Sequence, residues 1–290
     1  MTAAPRPIGV SNGAVSILIG LMETRTGQRI AANRAWRVES ALKPLLRARG
    51  FESLDQLVAA LVGGEDRGLA DETVEALLNH ESSFFRDPSV IQQVGTLMRD
   101  QQSAQQGRRL RIWSAGCSTG QEPLSLAMLL AEQNPLREFP DIVATDVSAA
   151  VIARAKAGRF TQFEIQRGLP VRSMVRWFEP VGKDWVASPD LLARVQFRRH
   201  NLAQDAAPPG LFDLILCRNV LLYLSPAIRS AVLAKLAAAL RPDGRLVLGA
   251  SETVIGRTEA LVPCHAYRGF YHRADKLAAA PAPAAMAAMR

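Results

Sequence analysis

The chain has 290 residues, 48% of them hydrophobic, and carries 35 Lys/Arg against 27 Asp/Glu for a formal charge of +8. That apolar content supplies one large core or two modest ones and excludes a disordered polyelectrolyte. Residues 1–80 hold 9 basic and 9 acidic side chains, so the positive excess falls after residue 80, where acidic partners are favoured without the charge choosing among them.

Residues 1–12 contain Pro and Gly and are expected to be disordered. The apolar run 14–22 is too short to span a bilayer and is followed by charged helical sequence, so it reads as a core helix. Helical spacing continues to residue 64. Ala35, Val38, Leu42, Leu45 and Leu46 form one apolar face, Pro44 is a candidate kink or break, and Gly50 ends that helix. Ser53 with Gln56 predicts a capping box for a third helix. The second helix carries Arg34, Arg37, Lys43, Arg47 and Arg49 against Glu39, which is either a solvated face or a docking face for an acidic helix.

A short helix is predicted over 71–78. The segment Asn79-His80-Glu81-Ser82-Ser83-Phe84-Phe85-Arg86-Asp87-Pro88 follows; its two phenylalanines break helical period, as if one anchors the segment while polar groups face a cleft. Asp87-Pro88 predicts a helix start with Asp87 as the capping carboxylate. After residue 110 short apolar runs alternate with helical segments, the pattern of a parallel sheet with crossover helices. Strands are predicted at 110–115, 142–145, 195–197, 212–217, 245–248 and 266–272, and helices at 122–132, 148–157 and 226–240. Residues 160–194 exceed what a crossover needs and suggest a small inserted element with antiparallel strands. The tail 278–290, nearly all Ala and Pro, is expected to be disordered.

The stretch Arg111-Ile112-Trp113-Ser114-Ala115-Gly116-Cys117-Ser118-Thr119-Gly120-Gln121-Glu122-Pro123 reads as strand, glycine-hinged turn and helix start, the way an α/β protein holds a nucleotide-like ligand. Gly116 and Gly120 let the backbone come close to a ligand. The pyrophosphate pattern G-x-G-x-x-G is absent, and Glu122 stands where a phosphate would meet its charge. A ligand with a positive group, an amine or a sulfonium, fits better, although Glu122 also suits a first helical turn. Asp146 ends the next strand and suits either ribose hydroxyls or a helix cap. Asn201-Leu202 fits the rim over an adenine, or a plain turn. Arg218, Asn219 and Tyr223 follow the apolar strand that ends at Cys217, at the edge where open α/β sheets keep their sites. The three cysteines, Cys117, Cys217 and Cys264, show no CxxC, and the four histidines, His80, His200, His265 and His272, show no ligand spacing. That argues against a disulfide framework and any metal, and for a reducing cytosol, with Cys217 a small buried thiol rather than a nucleophile.

Five of these segments, in this order, resemble the chemotaxis receptor methyltransferases, the CheR family of S-adenosylmethionine-dependent protein-glutamate O-methyltransferases. They are 80–87, 113–123, Ala144-Thr145-Asp146, Cys217-Arg218-Asn219-Val220-Leu221-Leu222-Tyr223 and Leu240-Arg241-Pro242-Asp243-Gly244. The resemblance covers roughly residues 17–272. It implies a Rossmann-like α/β methyltransferase domain over 108–275, with the inserted β-subdomain inside 160–194. Before it would come an all-α domain at 13–70 and linker helices at 71–107 with the cofactor-contacting segment; a disordered tail at 276–290 would follow. By resemblance, His80, Ser82, Arg86, Gly116, Glu122, Asp146, Asn201, Leu202, Arg218 and Asn219 contact S-adenosyl-L-methionine, which leaves as S-adenosyl-L-homocysteine. Arg86 and Tyr223 flank the transferring methyl. Gln121 departs from the usual Glu, and Leu124 stands where Tyr often follows the Pro. The implied partners are methyl-accepting chemotaxis receptors, whose acidic helical region would meet Arg34, Arg37 and Arg47. A cytoplasmic monomer is expected, without nucleic acid or stable membrane insertion. Two alternatives stay open: a methyltransferase acting on RNA or a small molecule, and a regulator that binds the cofactor without turnover.

Overall fold

A computed structural model describes residues 12–31, 34–64, 66, 68–104, 107–132 and 138–275. Both segments expected to be disordered lie outside this range, except that Asn12 already belongs to the first helix. The described residues form two compact units, one up to residue 81 with 223–228, the other 82–222 with the residues from 229 on.

The first unit contains α1 (Asn12–Thr26), α2 (Trp36–Arg49), α3 (Leu54–Gly63) and α4 (Leu69–Leu77). Leu18, Val38, Leu42 and Leu57 are fully buried in its core. Gly50 takes a left-handed conformation at the end of α2, and Phe51 N donates back to Leu46 O at 2.9 Å, closing the helix. Ser53 caps α3 by accepting from Gln56 N, while the Gln56 side chain accepts from Glu52 N, one residue earlier than in a strict capping box. Pro44 does not break α2. Pro44 and Ser40, whose carbonyl loses its helical donor, are both exposed, so water can satisfy that carbonyl.

The second unit opens with α5 (Pro88–Ala104) and continues as β1 (Arg111–Ala115), α6 (Gln121–Glu132), β2 (Asp141–Asp146) and α7 (Ala149–Ala157). Next come β3 (Arg159–Thr161), α8 (Gln162–Gln166), α9 (Val171–Trp177), β4 (Phe178–Val181), β5 (Asp184–Ala187) and α10 (Pro189–Leu192). The chain then forms β6 (Val195–Arg199), β7 (Phe212–Cys217), α11 (Pro226–Ala239), β8 (Leu240–Leu248), β9 (Leu261–Pro263) and β10 (Phe270–Arg273). Seven strands lie in the order β6-β2-β1-β7-β8-β10-β9. The first five are parallel, and β10 runs antiparallel to both its neighbours, β8 and β9. This is the expected α/β methyltransferase-like sheet, and every residue of its central strand β7 is buried.

Three strand expectations change. β8 begins at Leu240, which pairs with Phe212 ahead of a register shift, five residues earlier than its apolar run suggested. The terminal strand begins at Phe270 rather than 266. A further short strand, β9, carries Pro263 at the sheet edge, where a missing N–H is tolerated. The inserted element is a three-stranded antiparallel sheet, β3-β5-β4, turned by Gly182-Lys183.

At the opposite edge from the strands' carboxyl ends, Asp213 is fully buried. It accepts from Arg108 Nη1 at 2.8 Å and from Arg111 N at 2.8 Å, joining the approach to β1 with β7. Asp213→Ala leaves these donors without their anion and is expected to cost about 3 kcal/mol, read as a lower denaturation midpoint. An unchanged midpoint would show that the pair is not structural.

Candidate active site

The carboxyl end of β1 passes into the glycine loop under two backbone bonds, Gly116 N and Cys117 N to Thr145 O at 2.8 and 2.9 Å. Gly116 has φ +86° and Gly120 φ +96°. A Cβ on Gly116 would lie 2.3 Å from Val220 Cγ2, and one on Gly120 3.1 Å from Ala155 Cβ and 3.2 Å from Phe197. At these two glycines the missing side chain makes room for Val220 of the loop after β7 and for α7 and β6.

Glu122 stands in the first turn of α6. Its Oε1 accepts from Ser114 Oγ at 2.8 Å and its Oε2 from Arg218 Nη1 at 3.1 Å. Asp146 accepts from Ser118 N at 2.9 Å and from Ser148 N at 3.1 Å, while Ser148, not Asp146, caps α7. Two carboxylates therefore flank the glycine loop, each aimed by hydrogen bonds from its neighbours.

The Arg218 side chain is 1% exposed. Besides Glu122 it donates from Nη2 to Arg86 O at 3.0 Å and to Asp87 Oδ2. It therefore acts within the protein as a tie between the loop after β7, the glycine-loop helix and the Phe-Phe-Arg-Asp turn. The expected capping role of Asp87 changes accordingly. Its φ is +55°, and its carboxylate is turned to Arg218. Phe84 is the anchoring phenylalanine, 1% exposed, with ring centroids 5.0 Å from Phe160 and 5.5 Å from Phe178 of the inserted sheet. Phe85, at φ +46°, donates its N–H to Ser125 Oγ of α6 at 2.9 Å. Arg86, half-buried, is carried on that clamped turn.

Asn201 follows β6 and forms a turn, its Oδ1 accepting from Ala203 N at 3.0 Å. Lys235 of α11 donates Nζ to Leu202 O at 2.8 Å, a support that the sequence did not reveal. Burial lowers its pKa from the ordinary value, partly offset by Asp205. Asn219 has φ +60°, and its Oδ1 is buried without a hydrogen-bond partner among the described residues. Ser82 is half-buried in this unit; His80, half-buried, and Tyr223 belong to the helical unit. There Asn79 Nδ2 donates to Tyr223 Oη at 2.6 Å, leaving the phenol its own hydrogen to donate. Arg34 and Arg47 are exposed and Arg37 half-buried, whereas Arg49 is tied to Glu72 and Asp66.

Residues 80–269 match the family described as CheR methyltransferase, SAM binding domain. The chain belongs to the CheR methyltransferase family. Among curated relatives, it is 34% identical over 242 residues to chemotaxis protein methyltransferase Cher2 of Pseudomonas putida, spanning 81% of this chain and 88% of that protein. It is also 34% identical over 256 residues to chemotaxis protein methyltransferase 1 of Pseudomonas aeruginosa, spanning 85% and 92%. With the chemotaxis protein methyltransferase of Vibrio parahaemolyticus it shares 35% identity over 243 residues, 82% of this chain and 88% of that one.

As a CheR-family chain it is an S-adenosylmethionine-dependent methyltransferase. The residues present suit that cofactor. The Glu122 and Asp146 carboxylates match an ammonium and a ribose diol, and the unpartnered Asn219 Oδ1 offers one more acceptor. Among the described residues no group of acids, histidines or cysteines is arranged to hold a metal ion, and no helix is long and apolar enough to cross a membrane. Both thiols near the site are pushed well above their ordinary pKa. Burial is the main cause for each, followed by Asp146 and Glu122 for Cys117 and by Glu252 and Glu122 for Cys217. They remain neutral and unreactive at pH 8, whereas Cys264 is only partly buried. Brief alkylation of the folded protein at pH 8 should therefore modify Cys264 alone by intact mass, and adducts on Cys117 or Cys217 would contradict this account. Glu122→Gln should weaken S-adenosylhomocysteine binding about 10- to 100-fold by calorimetry, through loss of a charge-assisted hydrogen bond.

Proposed function

We propose that the chain transfers a methyl group from S-adenosylmethionine to glutamate side chains of methyl-accepting chemotaxis receptors, giving glutamyl methyl esters and S-adenosylhomocysteine. Family membership and the names of the relatives support this reading. The observation that carries it is the buried Arg218 tie, which links the Phe-Phe-Arg-Asp turn to the Glu122 carboxylate and so couples a candidate substrate-orienting arginine to the cofactor-facing helix.

The bound cofactor supplies an electrophilic methyl group on a sulfonium. The receptor glutamate is already an anion at neutral pH, so this chain needs no general base to create the nucleophile. Its residues must strip water from that carboxylate and aim it. Arg86 and Tyr223 are assigned this work, Arg86 by charge and Tyr223 by the hydrogen that Asn79 leaves free to donate. Opposite charges are cancelled during transfer, so a tight Arg86 grip would favour the ground state; both residues position more than they polarise. His80, Ser82, Gly116, Asn201 and Leu202 are assigned to the cofactor's surroundings, with Asp146 at the ribose and Asn219 near the methionine portion. Arg218 serves by holding Glu122 in place.

The basic face of α2 is assigned to the acidic helical region of the receptor, in the cytoplasm. Trp36, Lys43 and Arg47 recur at helical spacing there and are all exposed. An aromatic flanked by basic groups suits an acidic helix.

Methyl-labelled cofactor incubated with receptor-bearing membranes should yield base-labile label on receptor, and none on RNA. Label on RNA alone, or cofactor binding without transfer, would overturn the proposal. Tyr223→Phe and Arg86→Ala should each reduce transfer about 10- to 100-fold; if both leave it unchanged, the roles assigned to them are wrong. The double variant Arg37→Glu/Arg47→Glu should raise the receptor KM about tenfold while leaving cofactor affinity alone. Equal receptor kinetics would remove α2 from the docking surface.

A further inference from the structure

Glu252 lies in the turn after β8, outside every segment that carries the family resemblance. Its carboxylate accepts from backbone N–H groups of two separate loops. Oε2 takes Asn219 N at 2.7 Å and Gly249 N at 2.8 Å. Oε1 takes Val220 N at 3.0 Å and Leu222 N at 3.2 Å. Hydrogen bonds to an ionised acceptor are roughly twice as strong as neutral ones, so four on one side chain form a rigid clamp.

The clamp holds residues with something at stake. Asn219 has φ +60°, a conformation that a non-glycine residue keeps only when its surroundings impose it. The Asn219 Oδ1 is buried and lacks a partner, an arrangement that costs free energy unless an incoming donor completes it. Val220 is pressed against Gly116, where no Cβ would fit. From the other side Gly249 closes in: a Cβ there would lie 2.8 Å from both Asn219 Nδ2 and Glu252 Oε2. The loop after β7 is therefore shaped from outside by one acid in a neighbouring loop.

We infer that Glu252 is a positioning residue for cofactor binding: by clamping the backbone of residues 219–222 it presents the unpartnered Asn219 carbonyl to the cofactor and keeps Val220 seated on the glycine loop. It acts through Asn219 and touches no reacting atom. The inference rests on the reading that Asn219 faces the cofactor. Its chemistry is specific to a carboxylate, because a Gln in its place turns an N–H₂ toward one pair of backbone donors and lengthens the other pair.

The test is S-adenosylhomocysteine affinity by calorimetry on the full chain, for Glu252→Gln, Asn219→Ala and the double variant. Each single substitution should weaken binding about tenfold. The double variant should be no weaker than the poorer single, because both remove the same interaction. A purely structural Glu252 would instead give losses that multiply in the double variant, which overturns the inference. Asn219→Ala without effect overturns the reading of Asn219 itself; Asn219→Ala with effect and Glu252→Gln without it overturns Glu252 alone. Should the Gln variant not fold, Glu252→Asp keeps the charge but shortens the reach, and the same cycle applies. In the unsubstituted protein, hydrogen exchange should find the amides of Asn219, Val220, Leu222 and Gly249 protected. Exchange as fast as in the exposed hairpin turn at Lys183 would also overturn the clamp.

Discussion

Arg218 is a guanidinium taken almost wholly out of water, and such a charge is tolerated only where anions and carbonyls replace its hydration. Its partners are Glu122, Asp87 and the Arg86 carbonyl, contributed by segments far apart in the chain. Because Arg218 directly follows the fully buried strand β7, the most deeply embedded part of the sheet fixes where this charge sits. The first turn of α6 and the turn before α5 must come to it. Much of the candidate site's geometry therefore follows from one electrostatic problem, supplying oxygens to one buried cation, whose Nε is still without a partner among the described residues.

The same economy bears on the positive excess. Arg108 pairs with Asp213, Arg154 with Glu164, Arg49 with Glu72 and Asp66, and Arg218 with two carboxylates. These arginines are engaged internally and are poor evidence for a polyanion-binding face. A formal charge counted from the sequence overstates what is offered to a partner. The basic side chains on and just before α2 that make no ion pair among the described residues, Arg34, Arg37, Lys43 and Arg47, matter more than the sum.

What was legible in the sequence follows from period and local chemistry. The parallel strands announce themselves as apolar runs, the Gly50 and Ser53 caps as local signatures, and Phe84 as an aromatic out of helical step. Asp146 could be nominated because strand-end acids in this kind of fold meet ligands, and Glu122 because it heads the helix that follows the glycine loop. What could not be read was partnership at a distance. Nothing near Arg218 tells that its partner lies 96 residues away, and nothing near Asp87 tells that its carboxylate will leave the helix end for that guanidinium. Glu252 was invisible for a further reason: its partners are backbone N–H groups, which every residue but proline possesses. The strand β9 was too short to show a period, and the start of β8 was masked by Arg-Pro-Asp-Gly, residues that normally announce a turn.

By topology alone the three-stranded insert would be an appendage on the crossover between β2 and β6. Its hydrophobic interior says otherwise, since Phe160 and Phe178 close around Phe84, which the chain delivers from before α5. Its helix α9 reaches back as well, with Trp177 Nε1 donating to Glu132 at the end of α6 at 2.8 Å. Gly168 lies so close to the Phe84 carbonyl that a Cβ would come within 2.1 Å of it. The insert is thus not interchangeable in the way a loop is. A descendant that replaced it would have to rebuild the seat of Phe84, and with it the turn that carries Arg86. Variation is cheap only on its outward surfaces, where Phe163, Val171 and Val175 stand in solvent. Substitution of that exterior costs the fold little, while the inner face is tied to the turn that carries Arg86.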